Sequence, residues 1–333
     1  GAALGLPPDR VYGSWQEMLE RESALPPDQR MEMVAIVTPN HLHYEIARAC
    51  LERGFHVICD KPLTNTVEEA EALVQLTRER DLVFAVTYTY AGYPMVKEAR
   101  ELVAGGELGE LRKIVVEYPQ GWLSEPIEGE NKQAAWRTDP ARAGVGGAVG
   151  DIGSHAEYLA RCITGLHIEE LCADLTAFVP GRRLDDDANM LVRWQHGVKG
   201  VLYVSQISAG EENNLRIRVY GRHGSLEWQH RDPDTLMVRP ASGPARILRR
   251  GHPYLSPVAA HFSRLPTGHP EAFIEAFANI YRSAARVVAA KAAGQTPDPL
   301  DLDFPTVADG AIGVRFIHKA VESSRAGAVW VKF

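Results

Sequence analysis

Short apolar runs alternate with helical spacing along the first part of the chain. "MVAIV", residues 33–37, closes on Pro39 and Asn40. "HYEIARACLERG" then places Ile46, Ala47, Cys50 and Leu51 on one helical face and Gly54 at the C-terminal cap. "FHVIC" reads as the next buried strand, and Thr66 with Glu69 forms a capping box that opens a helix through about Arg80. "LVFAVT" supplies a third strand. Strand and helix repeat through residues 28–90, which predicts a doubly wound parallel sheet with its ligands beyond the C-terminal ends of the strands.

The period changes to two from about residue 110. Met190, Val192 and Trp194 alternate with Arg193 and Gln195, and Leu215, Ile217 and Val219 alternate with Arg216 and Arg218. These predict an antiparallel sheet with hairpin turns at residues 195–197 and 221–224. "DIGSHAEYLARCITG" and stretches near 270–292 and 305–325 supply helices for one of its faces. The expected class is α/β, with a Rossmann-type domain over residues 1–92 and an α+β domain with a large open antiparallel sheet over residues 93–333.

The chain has 333 residues, 45% of them hydrophobic, enough for two buried cores. A net charge of -7 with interspersed signs leaves no basic stripe for nucleic acid, and no apolar run approaches the ~18 residues of a membrane span. Neither kind of partner is expected. Cys50, Cys59, Cys162 and Cys172 lie far apart, which suits a reduced, cytoplasmic setting rather than a disulfide framework or a zinc site.

Candidate chemistry begins at Lys61, which follows a buried strand at the sheet edge where such folds bind ligands. In "GGAVGDIGSHAEYL", Asp151 and His155 are spaced i, i+4, so the acid is placed to orient the imidazole, a general acid or base near neutral pH. Gly144, Gly146, Gly147 and Gly150 do not fit a phosphate-binding GxGxxG and read as close-approach backbone beside a substrate. Asp185, Asp186 and Asp187 read as a solvated turn, with no metal assigned. No GxSxG elbow points to a hydrolase.

"VAIVTPNHLHYEIARACLERGFHVICDKPLTNTVEEAEALV" together with "GDIGSH" resembles the Gfo/Idh/MocA family of nicotinamide-dependent sugar and polyol oxidoreductases over nearly the whole chain. Asp60-Lys61-Pro62 stands where the family usually has Glu-Lys-Pro, and Asp151 and His155 match its Asp-x-x-x-His motif. The resemblance implies NAD or NADP as cofactor and a secondary hydroxyl of a sugar, inositol or related polyol as substrate. Lys61 and His155 would hold the reacting hydroxyl, His155 would move its proton, and Asp151 would orient substrate or histidine. Pro39, Asn40, His43, Asp60 and Lys61, with Trp136 and Arg137 of "AAWRTDP", would lie along the cofactor.

Tyr88, Tyr90 and Trp122 are candidate substrate contacts, the aromatic faces being suited to a sugar ring. The family's Gly-rich strand–helix–strand segment has no counterpart here, so the dinucleotide unit reads as N-terminally incomplete. The residues that select NAD from NADP belong to that segment. Homo-oligomerisation through the open sheet is also implied. The competing reading is a noncatalytic carbohydrate-binding or assembly protein on the same fold, against which the Lys61, Asp151 and His155 set stands.

Overall fold

The computed structural model describes residues 2–333. Helix α1 (Trp15–Ser23) starts at Ser14, whose hydroxyl accepts the Glu17 amide, and leads to β1 (Met33–Ile36). There follow α2 (His43–Glu52), β2 (His56–Cys59), α3 (Val67–Glu79) and β3 (Phe84–Val86), the three strands pairing in parallel in the order β1-β2-β3. The Thr66/Glu69 capping box is present in full, and Gly54 closes α2 at φ +78°. Buried Ile46, Ala47, Cys50, Leu51, Ala70 and Leu73 of α2 and α3 form one core with Val57, Cys59, Phe84 and Val86 of β2 and β3.

The chain then runs through α4 (Pro94–Ala104), β4 (Leu111–Pro119), the short α5 (Lys132–Arg137) and α6 (Pro140–Ala143), and α7 (Ser154–Thr164). Strands β5 (Ile168–Thr176), β6 (Asp187–Trp194), β7 (Lys199–Ser205), β8 (Arg216–Gly221), β9 (Gly224–Gln229), β10 (Thr235–Pro240) and β11 (Arg246–Arg249) build the second sheet. Helices α8 (Pro257–Phe262), α9 (Phe273–Ala292) and α10 (Val307–Arg325) and strand β12 (Val331–Lys332) complete the chain. The sheet has nine strands in the order β11-β10-β9-β8-β4-β7-β6-β5-β12.

Both expected hairpins are seen, but the sheet is mixed rather than purely antiparallel, because β4 and β7 run parallel from Lys113/Lys199 to Pro119/Ser205. Between them the chain passes through three helices and the β5–β6 pair before β7 returns beside β4. Long-range pairing of this kind leaves no mark on local periodicity. It brings the ends of β4 and β7 to the same side.

The last long helices serve both sheets. Ile280, Ala284, Val287 and Val288 of α9 pack on Ile58, Val83 and Ala85, while Val307 and Val314 of α10 join the core of the parallel sheet. Sequence places these helices in the second domain, and their apolar stripes also close the first. The adjacent acids are not a solvated turn either. The Asp185 carboxylate accepts the Gly147 and Val149 amides, and Asp186 accepts those of Phe178 and Val179 and pairs with Arg182. Burial pushes the Asp185 carboxyl up to about 6 although its two amide bonds oppose the shift.

Candidate active site

A cleft of about 740 Å³ opens at the C-terminal ends of β1 and β2. On one side it is lined by residues 37–40 with Asp60 and Lys61, and on the other by α5, Asp151, His155, the end of β4 and the start of α9. Lys61 leaves β2 on a cis Lys61–Pro62 peptide. Asp60 beside it accepts the Thr87 hydroxyl at 2.6 Å, tying the ends of β2 and β3 together.

The residues of "GDIGSH" form a π-helical turn, Val149–Gly153, running directly into α7. Such wide turns recur at functional sites because they displace a side chain from regular helical register. Here Lys61 Nζ donates to the Asp151 carbonyl at 2.5 Å and to its Oδ1 at 2.8 Å. Oδ2 accepts Gln206 Nε2 at 2.8 Å and lies 3.4 Å from Arg137 Nε. Burial pushes the Asp151 carboxyl up, but the Lys61 and Arg137 cations outweigh it and hold the group well below the usual carboxylate range.

Asp151 therefore does not orient His155 as the i, i+4 spacing suggested; no hydrogen bond joins them. The carboxylate is turned to Lys61, Arg137 and Gln206, where two cations satisfy it better than a neutral ring. His155 is set among the rings of Tyr88, Tyr90 and Tyr118. Its Nδ1 is buried without a hydrogen bond, which leaves Nε2 as the ring nitrogen open to the cleft. Burial first, and the Lys61 charge second, push its pKa well below the ordinary histidine value, so the imidazole is neutral.

Of the candidates from sequence, Pro39, Asn40, Asp60, Lys61, Tyr90, Trp136, Arg137, Asp151 and His155 meet in this cleft. Asn40 does not cap its helix; its amide donates to Ala143 O at 3.1 Å and bridges the two sides. The Arg137 guanidinium stacks 4.2 Å from the Trp136 ring centre.

Three candidates fall outside. His43 is buried with its ring nitrogens 2.9 and 2.8 Å from the carbonyls of Pro62 and Thr38. Burial lowers its pKa against the opposing pull of the two carbonyls, and the ring packs between the loops after β1 and β2. Tyr88 lies fully buried, stacked on Tyr158 at 4.5 Å; β3 ends at Val86 and a 3-10 turn begins at Thr89, so Tyr88 and Tyr90 share no strand face and only Tyr90 reaches the cleft. Trp122 donates to Gln120 Oε1 and does not reach the cleft wall. Three of the four glycines, too, meet protein: a Cβ on Gly147 would sit 2.0 Å from Asp185 O, one on Gly146 2.6 Å from Val149, and one on Gly144 3.1 Å from Asn65, while one on Gly150 would meet nothing within 4 Å.

Sequence reasoning missed a polar floor. Tyr118 Oη and Gln120 Nε2 each donate to Asn213 Oδ1 at 2.7 Å, and Tyr118 also meets Tyr90 through their hydroxyls. Tyr118, near the end of β4, and Gln120, just beyond it, sit two apart, so period-two reading carried a signal for them. Asn213, in the loop before β8, carries none. Phe273 and Phe277, i and i+4 on α9, stack edge to face at 4.8 Å and add an apolar wall.

The fold agrees with what the chain resembles among known proteins. "Oxidoreductase family, NAD-binding Rossmann fold" matches residues 8–88, and "GFO/IDH/MocA C-terminal domain" matches residues 96–227. An uncharacterized oxidoreductase, YfiI, of Bacillus subtilis is 36% identical over 337 residues, which cover all of this chain and 85% of that protein. The chain belongs to the Gfo/Idh/MocA oxidoreductase family. Among solved structures, an inositol dehydrogenase homolog of Azotobacter vinelandii complexed with NAD+ superposes with a TM-score of 0.95 at 37% identity, over all of this chain and 86% of that one. A levoglucosan dehydrogenase in complex with NADH and levoglucosan superposes at 0.81 with 27% identity, over 96% of this chain and 83% of that one. No helix among the described residues is long and apolar enough to cross a membrane.

Proposed function

We propose that this family member is an NAD(P)-dependent oxidoreductase that moves a hydride between the nicotinamide and a secondary hydroxyl, or its ketone, of a sugar, inositol or related polyol. One observation carries the reading. A Lys61 ammonium fixed by Asp151 shares a cleft with a neutral His155 whose Nε2 is open to the same space.

The strand-end side of the cleft fits the nicotinamide and its ribose. The Thr38 hydroxyl there is buried without a hydrogen-bond partner, and Val37, 68% exposed, presents apolar surface at the end of β1. Pro39, Asn40 and Asp60 would complete that side, with Trp136 and Arg137 of α5 facing the cofactor from across the cleft. The bound nicotinamide supplies the hydride acceptor, or the donor in the reverse direction.

The rest falls to side chains of this chain. An ammonium has three N–H donors, and Lys61 directs two of them at Asp151, which leaves one for the reacting oxygen. That contact strengthens as the hydroxyl gains anionic character, so it favours the transition state over the bound alcohol. His155 Nε2 takes the hydroxyl proton as hydride leaves the same carbon, and returns it during reduction. Tyr90, Tyr118, Gln120 and Asn213 offer hydroxyl and amide groups to the remaining hydroxyls of a polyol, and Phe273 with Phe277 meets its C–H face.

The test is reduction of NAD+ and NADP+ by a panel of inositols, aldoses and anhydro sugars, beside a fluorescence titration with NADH and NADPH. Saturable cofactor binding and polyol-dependent reduction are expected. Binding without turnover on any member of the panel would favour a noncatalytic carbohydrate-binding role.

Copies of this chain assemble through the outer face of the nine-stranded sheet. Leu191 and Tyr220, exposed on strands whose alternate residues are buried, and Ile247, exposed on the edge strand β11, support that contact. Light scattering is expected to give a mass of at least a dimer, and a monomer at micromolar concentration would contradict it. The four free thiols support a cytoplasmic setting.

A further inference from the structure

Asp185 lies beneath the turn that carries Asp151. Its two carboxylate oxygens accept the Gly147 and Val149 amides, each at 2.7 Å, and its carbonyl accepts the Ala148 amide at 2.8 Å. Three successive amides are thus anchored on one residue where the π-helical turn begins. We propose that Asp185 is a positioning residue for the reaction, latching this turn so that Asp151 holds the Lys61 ammonium in place.

The connection to Lys61 is short. The Asp151 amide donates to the Gly147 carbonyl at 2.8 Å, so the peptide that Asp185 grips at its N–H also anchors Asp151. Asp151 then presents a carbonyl and a carboxylate oxygen to Lys61 Nζ. A shift of the turn moves both acceptors together. Gly147 permits the grip, since a Cβ there would lie 2.0 Å from Asp185 O.

The neighbouring strand holds Asp151 from the other side. Gln206, at the exit of β7, donates its side-chain amide to Asp151 Oδ2 at 2.8 Å and its backbone amide to Asp186 O at 2.8 Å. Asp185 at the entry of β6 and Gln206 at the exit of β7 therefore come from paired strands, Asp187 opposing Ser205. One end of the sheet fixes the turn's backbone and the Asp151 carboxylate alike. A purely structural clasp would need no alignment with Lys61; this one ends on it.

The proposal rests on the role given to Lys61 above, so its test includes a measurement independent of turnover. Asp185→Asn keeps the shape but turns an NH2 toward one of two amide donors, which loses one bond and opposes two donors. In the full chain we expect kcat to fall on the order of 10- to 100-fold, as for a small misplacement of a catalytic group, with the polyol KM within about twofold of wild type. Acetylation of Lys61 by acetic anhydride, read by mass spectrometry against the exposed Lys132, is expected to rise several-fold as its two acceptors move away.

Wild-type kcat together with wild-type Lys61 labelling in Asp185→Asn would overturn the latch. A failure of Lys61→Met to affect turnover would instead overturn the reaction scheme, with the labelling result still standing. Should Asp185→Asn not fold, amide hydrogen exchange on the wild-type chain decides. Slow exchange at both Gly147 and Val149 supports the latch, and fast exchange at either contradicts it.

Discussion

Lys61→Met is expected to lower kcat for polyol oxidation by about 100- to 1,000-fold, the usual cost of removing one donor to a developing oxyanion. Methionine preserves much of the unbranched stem and deletes only the charge and its three donors. Two consequences follow from the structure. The reacting oxygen loses its counter-charge, and Asp151 loses the cation that most strongly opposes its burial. Arg137 at 3.4 Å and Gln206 at 2.8 Å remain, so the Asp151 carboxyl rises from its depressed pKa without becoming an isolated buried charge. Steady-state rates beside an NADH titration check this: cofactor binding is retained while turnover is lost. Near-normal rates would remove Lys61 from the chemistry.

His155→Asn is expected to lower kcat by about 100- to 10,000-fold, the range for loss of a positioned general base. The pH dependence carries more information than the size of the loss. Burial, and then the Lys61 charge, disfavour the imidazolium, so in the wild type the acid limb of the rate should lie below the ordinary histidine value. Removing the neighbouring positive charge must move that limb upward. The residual activity of Lys61→Met is therefore expected to fall off at higher pH than the wild type. An unshifted limb would mean that some other group titrates. The same shift affects stability. A histidine depressed in the folded state contributes stability that is present above its unfolded pKa and is lost as pH falls through it.

Much of the fold was legible because periodicity reports which face of an element is buried. Ile46, Ala47, Cys50 and Leu51 declared α2, and Met190, Val192 and Trp194 declared β6. What such a face packs against is a different matter. The stripe of α9 at Ile280, Ala284, Val287 and Val288 reads equally well as cover for either sheet, and the structure sets it on the parallel one. The parallel pairing of β4 and β7 was hidden for the same reason.

At the site, residue types were easier to read than their partners. Lys61, Asp151 and His155 were visible from position and spacing, and they do meet. The spacing misled about which of them touch, since Asp151 had two cations to choose before a neutral ring. Tyr88 and Tyr90 looked alike in sequence, but β3 ends at Val86 and the 3-10 turn that follows separates them into core and cleft. The acids at 185–187 looked solvated because nothing local says that backbone amides 36 and 38 residues away converge on Asp185.

The central claim is that this cleft transfers hydride directly from a carbinol carbon to a nicotinamide. The most direct measurement uses a polyol deuterated at the reacting carbon, with mass analysis of the reduced cofactor formed by the wild-type protein. The account predicts one deuterium in each reduced nicotinamide, together with a slower rate than for the protonated polyol. Reduced cofactor without deuterium, or a substrate consumed while the nicotinamide stays oxidised, would contradict it.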